Sequence, residues 1–164
     1  MGEYQHIYHE FEPVFDEQSE ILILGSLPSV KSRENHFYYG HPQNRFWKVL
    51  AGILECDIPD TIEDKKAMLL SHHIALWDVI AECDIIGSSD SSIRNVVVND
   101  IQSIVQRTKI QKIYANGATA GKLYKKYALP KVGMECIQLP STSPANAAFS
   151  VERLCQKWIM IREE

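Results

Sequence analysis

An uninterrupted apolar run, Ile21-Leu22-Ile23-Leu24, breaks at once into Gly25-Ser26-Leu27-Pro28-Ser29. It reads as a buried strand that empties into a small-residue, proline-braced loop. The pattern recurs late in the chain, where Met134-Glu135-Cys136-Ile137-Gln138-Leu139 runs into Pro140-Ser141-Thr142-Ser143-Pro144-Ala145-Asn146. In a parallel α/β sheet such loops lie at the carboxyl ends of the strands, where ligands bind. Two rigid, hydroxyl-rich loops there suit phosphate, held by backbone N–H groups and short side chains.

Between these two segments the chain alternates strand and helix. Strands are expected over 21–25, 74–79, 112–116 and 134–139. Helices are expected over 45–54 (after Asn44 as N-cap), 62–71 (after Thr61), 100–107, 117–127 and 146–161. Residues 87–92, Gly-Ser-Ser-Asp-Ser-Ser, read as a loop. In the last helix Ala148, Phe149, Val151, Leu154, Cys155, Trp158 and Ile161 fall mostly on one face. Strands separated by helices imply a parallel sheet with helices on both faces and right-handed crossovers. A length of 164 residues without repeats or low-complexity linkers fits one domain, 1–164.

Several classes of protein are excluded or disfavoured. No apolar run approaches the ~18 residues that span a bilayer, and the N-terminus has neither a basic start nor an apolar stretch of signal-peptide type. The expected location is therefore the cytoplasm, or the nucleus in a eukaryote. Cys56, Cys83, Cys136 and Cys155 are scattered with no CxxC pair, which argues for reduced thiols and against a zinc or iron–sulfur site. A net charge of −4 argues against a protein that coats nucleic acid non-specifically. It leaves room for an enzyme with a small local basic surface, and the lysines of 109–131 are either that surface or a solvated helix face.

The stretch from Asn35 to Trp47, Asn-His-Phe-Tyr-Tyr-Gly-His-Pro-Gln-Asn-Arg-Phe-Trp, is dense in aromatic rings, amides and histidines. Rings stack on the face of a flat heterocycle and amides read its edge; the alternative is a surface loop whose aromatics fold back on the core. His41 is a base contact, a proton donor or a plain loop residue.

Taken in order, Gly25-Ser26-Leu27-Pro28-Ser29, Tyr38 to Trp47, Leu76-Trp77-Asp78-Val79, Gly87 to Ile93, Asn116-Gly117 and Pro140 to Asn146 resemble the motifs of the uracil-DNA glycosylase superfamily. Within it they are most similar to the hypoxanthine-DNA (deoxyinosine) glycosylase branch, which is related to the mismatch-specific uracil/thymine glycosylases. The resemblance covers about 20–160. It implies a three-layer α/β/α sandwich around a short central parallel sheet. It further implies a monofunctional enzyme of base-excision repair that flips a deaminated base out of DNA and hydrolyses its N-glycosidic bond without metal or other cofactor, acting as a monomer.

The same resemblance distributes roles. Gly25, Ser26, Leu27, Tyr39, His41, Phe46 and Asp78 would form the base pocket. Pro28, Ser29, Ser88, Ser89, Arg94, Asn116, Gly117, Ser143, Pro144, Ala145 and Asn146 would meet the DNA. Leu27 stands where many members carry an Asp or Asn that orients water, and leucine has no group for that task. In the hypoxanthine-type branch Asn44 takes the role, in competition with capping the helix after it. Ser141 stands where many members have His or Asn facing the departing base. Ala145 replaces an intercalating leucine, and Asn146 fills the vacated stack or caps the last helix. The Asp78 carboxylate either accepts N1–H of hypoxanthine or N3–H of uracil, or anchors a loop. Ser88 to Ser92 with Arg94 is a phosphate clamp or a flexible loop, and Asn116-Gly117 a phosphate-binding or a purely structural turn. The remaining alternatives are a mismatch-specific uracil/thymine glycosylase, which Leu27 speaks against, and a non-catalytic damage binder on the same fold.

Overall fold

The computed structural model describes residues 3–9, 11–27, 37–87 and 89–162. Its elements are β1 (Gln5–Tyr8), β2 (Ile21–Gly25), α1 (Phe46–Leu54), α2 (Ile62–Ser71), β3 (Ile74–Asp78), β4 (Ile80–Ile85), β5 (Arg94–Val98), α3 (Ile101–Gln106), β6 (Lys112–Asn116), α4 (Ala118–Leu123), α5 (Leu129–Val132), β7 (Cys136–Leu139) and α6 (Val151–Trp158). A π-helical turn, Tyr124–Ala128, joins α4 to α5.

The apolar run at 21–24 becomes an inner strand of a four-stranded sheet in the order β3-β2-β6-β7, parallel throughout. Alternation decides the layers. Ile23, Ile74, Leu76, Tyr114 and Leu139 share one buried cluster with Phe46, Val49, Leu50 and Ile53 of α1, Met68 and Leu69 of α2, and Leu154 and Trp158 of α6. Leu22, Leu24, Ala75 and Ile113 face the other way, against Ile101 and Ile104 of α3 and Tyr124 and Ala128 of the π turn. The result is the α/β/α sandwich. From β2 the chain steps first to β3 on one side and later to β6 on the other, so the sheet has its switch point at β2.

The expected elements recur with shifted edges, and the shifts at two helices have a visible cause. Gly117 has φ +96, outside helical space, so α4 opens at Ala118. The last helix starts at Val151 rather than 146, because Ser150 accepts the N–H of Arg153 as its N-cap while Asn146 is engaged in the preceding loop. Thr61 caps α2 as expected.

A second, antiparallel sheet, β1-β4-β5, was not foreseen. Its β4 buries Ile80, Cys83 and Ile85, positions of mixed parity, because register shifts between Ile80, Glu82 and Asp84 break the strict alternation by which a strand is recognised. Between β4 and β5 the described residues include a 3-10 turn, Asp90–Ser92, within the expected loop, and Arg94 belongs to β5.

Candidate active site

A cleft of about 510 Å³ opens where β2, β3, β6 and β7 end. Gly25, Ser26 and Leu27 enter it from β2, Tyr39 and Asn44 from the connection to α1, and Asp78 from β3. Ser89 reaches it from the β4–β5 loop, Asn116 and Gly117 from β6, and Ser141, Ser143 and Ala145 from the loop after β7. Motifs far apart in sequence thus converge on one wall. Tyr38, Ile85, Asp90, Thr119 and Thr142 also line the cleft, and sequence reasoning had not singled them out. His41, Phe46, Arg94, Pro144 and Asn146 are not on its wall, while Pro28, Ser29 and Ser88 lie outside the described residues.

The innermost part is built around an absent side chain. A Cβ on Gly25 would stand 2.4 Å from Asp78 Oδ1 and 2.9 Å from the Tyr39 hydroxyl, so only glycine lets those oxygens approach. The Gly25 and Ser26 carbonyls accept the N–H groups of Val79 and Ile80, tying the first loop to the end of β3. Tyr39 is held in the left-handed region at φ 54, a conformation that costs about 1 kcal/mol or more for such a residue. Its ring stacks on Phe46 at 4.1 Å, and Phe46 is itself fully buried between Trp47 and Trp158. Phe46 therefore supports the pocket from behind rather than touching its contents. The Tyr39 hydroxyl is buried and meets no partner at hydrogen-bond geometry among the described residues. Burial pushes its pKa up, the Asp78 carboxylate adds to the rise, and the Asn116 amide opposes it.

Asp78 is not a loop anchor of the expected kind. Its Oδ2 accepts His9 Nε2–H at 2.8 Å, and both side chains are almost wholly buried. His9 precedes every motif, and nothing local in sequence marks it; only the pairing of β1 with β4, which extends through His9 N–H to the Ala81 carbonyl, brings it to Asp78.

The orientation of Asn44 follows from its obligate donors. A backbone N–H can only donate, and that of Phe46 lies 2.9 Å from Asn44 Oδ1. Likewise the Thr142 N–H lies 3.0 Å from Asn116 Oδ1, so Asn116 Nδ2 must be the donor to Thr142 Oγ1 at 3.0 Å. The Thr142 hydroxyl, fully buried, then sends its own proton to Asn44 Oδ1 at 2.9 Å. Both acceptor sites of the Asn44 oxygen are filled, and Nδ2 is the group it offers the cleft. Arg45, and not Asn44 as expected, is the N-cap residue of α1; the Asn44 oxygen still holds the Phe46 N–H of its first turn, which leaves Nδ2 for the cleft.

The last loop is built by its own hydroxyls and by Arg45. Ser141 Oγ accepts Ser143 N–H, Ser143 Oγ accepts Ala145 N–H, and Asn146 Nδ2 donates to the Ser141 carbonyl. Asn146 is thus a loop brace and not the N-cap of α6. Ser141 keeps its O–H to donate, and its Cβ lies 3.1 Å from where a Cβ on Gly117 would be. The Arg45 guanidinium donates to the carbonyls of Thr142, Ser143, Asn146 and Phe149. His41 accepts Gln43 N–H and shapes its own turn, which is the plain loop role.

The serine-rich loop is likewise self-braced. Ser92 Oγ accepts Ile86 N–H and donates to the Ser89 carbonyl. Arg94 stacks on Tyr4 at 3.5 Å, away from the cleft wall. Among the described residues no three His, Cys, Asp or Glu side chains gather as a metal site, and no helix is long and apolar enough to cross a membrane. The four cysteines form no disulfide.

Residues 12–162 match the family model of the uracil DNA glycosylase superfamily. A Hypoxanthine DNA glycosylase of Methanosarcina acetivorans is 39% identical over 145 residues, covering 87% of this chain and 90% of that protein. A protein of the same name from Methanosarcina barkeri is 35% identical over 138 residues, 83% and 86% of the two chains. A solution NMR structure from Methanosarcina acetivorans, described as that of a candidate uracil DNA glycosylase, superposes with a TM-score of 0.79 at 37% identity, covering 92% of this chain and 93% of the other. On sequence and fold alike, the chain belongs to the uracil DNA glycosylase superfamily.

Proposed function

We propose that this protein is a monofunctional DNA glycosylase that excises deaminated bases, hypoxanthine first and uracil second, at the opening step of base-excision repair. Its relatives named for hypoxanthine support the substrate class. The observation that carries the reading is the cleft itself, where an aromatic ring, a carboxylate and an amide of fixed orientation meet at the ends of four parallel strands.

The target nucleotide leaves the stack and its base enters beside Gly25, Tyr39 and Asp78. The N-glycosidic bond breaks with its electron pair going to the base, and the sugar gains oxocarbenium character. Water adds to the anomeric carbon and gives up a proton, the base gains one, and the products are free base and an abasic site. A carbon so electrophilic needs its water placed more than activated. Asn44 Nδ2–H holds that water by its oxygen, and the Ser141 O–H faces the departing base, whose negative charge it stabilises. Leu27 keeps the wall apolar. Ser89, Asn116-Gly117 and the loop 143–146 contact the DNA through hydroxyl and backbone groups, which suits an acidic protein. The chain works as one domain and a monomer, without metal or other cofactor, in the compartment that houses the genome: the cytoplasm and its nucleoid in a prokaryote.

The test is single-turnover excision, with protein in excess over matched oligonucleotides bearing hypoxanthine, uracil or mismatched thymine, and chelator added in parallel. Chelator-insensitive release of hypoxanthine is expected. Release of uracil alone would move the protein to the mismatch-type enzymes, and binding without release would make it a damage-recognition module.

A further inference from the structure

We propose that Tyr39 and Asp78 form a donor–acceptor pair that reads the –NH–C(=O)– edge of the flipped base, and that His9 is the positioning residue that holds this pair in register. The proposal rests on the cleft being the base pocket and names what that pocket recognises.

Deamination does one thing to adenine and cytosine alike. It turns a ring-nitrogen acceptor beside an exocyclic amine into a ring N–H beside a carbonyl, so the polarity of two adjacent edge positions is reversed. A reader of that change needs an acceptor next to a donor, both dry. Asp78 Oδ1 and the Tyr39 hydroxyl both lie within 3 Å of the point that a Cβ on Gly25 would occupy, at 2.4 and 2.9 Å, and both residues line the cleft. The Tyr39 hydroxyl is buried and has no partner at hydrogen-bond geometry among the described residues, which such a group tolerates when a ligand supplies one. Burial and the neighbouring carboxylate raise its pKa, so it remains a donor wherever the enzyme works. On the other side, Asp78 Oδ2 is taken by His9 Nε2–H at 2.8 Å, while Oδ1 accepts no hydrogen bond among the described residues. One carboxylate oxygen is anchored and the other is presented.

Against hypoxanthine, Oδ1 accepts N1–H and the Tyr39 O–H donates to the carbonyl oxygen; uracil offers the same pair. Against adenine or cytosine, acceptor meets acceptor and donor meets donor, and a dry polar site rejects such a mismatch by factors of up to about 10⁴–10⁵. Guanine carries the same edge, so this pair separates hypoxanthine and uracil from adenine and cytosine and not from guanine. His9 also places a partner on the carboxylate, tempering its repulsion of the departing anion.

Excision of hypoxanthine and of adenine from otherwise identical duplexes, with kcat and KM resolved, tests this in Tyr39→Phe, Asp78→Asn, His9→Gln and His9→Ala. Tyr39→Phe removes one hydroxyl and nothing else, and should slow hypoxanthine release at least about 10-fold. In Asp78→Asn the His9 N–H claims the amide oxygen and the NH₂ turns to the base, so the hypoxanthine-to-adenine ratio should collapse by about 100-fold or more. His9→Gln, which still donates to Oδ2, should restore most of the ratio that His9→Ala loses. Folded Tyr39→Phe and Asp78→Asn proteins with an unchanged ratio would overturn the proposal. Should Asp78→Asn fail to fold, an unchanged ratio and rate in Tyr39→Phe overturns it alone. A wild-type protein that releases no base would instead defeat the glycosylase reading from which the proposal starts.

Discussion

Asn44 Oδ1 takes two donors and can take no more, which makes a sharp prediction about substitution. Asn44→Ala should lose most base release, on the order of 100-fold or more, with DNA binding largely kept. Asn44→Asp separates the two roles an amide can play. If the cleft uses an acceptor, aspartate should serve as well or better; with the N–H as the working group, it should be as inactive as alanine in single-turnover excision. Thr142→Val should resemble a milder Asn44 lesion and Thr142→Ser should recover, because the hydroxyl fixes the amide. In sequence the place of Asn44 before an amphipathic helix marks it only as a candidate N-cap, and the family resemblance alone suggests a role for it in the site. Thr142 was hidden among hydroxyls of equal rank, and His9 among ordinary N-terminal residues. Their partners are distant in sequence, and only the sheet's register brings them together.

At the scale of elements, edge strand β1 is largely exposed and leans on His6, which pairs with Asp84 at 2.7 Å and Glu82 at 3.1 Å across to β4. The hydrogen bond with Asp84 raises the His6 pKa, and Asn95 together with His6 lowers that of Asp84. The histidine's contribution is therefore complete below its unfolded value of about 6.5 and lost as pH rises through the raised folded one. The carboxylate's contribution is complete above its unfolded value of about 3.9 and lost as pH falls through the lowered folded one. The protection of β1 amides, taken relative to their intrinsic exchange rate at each pH, should be greatest in mildly acidic solution and decline above neutrality, and His6→Ala should flatten that decline. Strands β2 and β3 were readable because they are buried on both faces and read as apolar blocks, whereas β7, with Ile137 and Gln138 exposed, was marked by the proline-rich loop that follows it. The antiparallel sheet was not, because β1 has only Ile7 even partly buried and the bulged β4 hides its alternation. Helix α6 was extended too far for a related reason: Ala148 and Phe149 continue the apolar spacing, but Arg45 holds the Phe149 carbonyl in the loop.

For the molecule as a whole, Arg45 joins its two halves, binding the start of α1 to the carbonyls of the loop before α6. Arg45→Ala should cost about 2–4 kcal/mol in denaturant unfolding, since it strands several carbonyls at once, and Arg45→Lys should recover little because an ammonium cannot fork. A net charge of −4 carries its own forecast. DNA affinity should fall with salt at a shallow slope, equivalent to roughly two to four neutralised phosphates, where a basic coating protein would show many more. That the three-layer sandwich could be foreseen reflects how strongly short apolar runs between amphipathic helices restrict topology. The chain order of the cleft has one more consequence. Asn44 is aimed by Thr142, and Thr142 is seated by a loop that α6 backs through Trp158 and the Pro140 carbonyl. A polypeptide still emerging from the ribosome holds its Tyr39, Asn44 and Asp78 long before it holds Thr142. The arrangement around Asn44 is therefore assembled only once β7, its loop and α6 have joined the sheet.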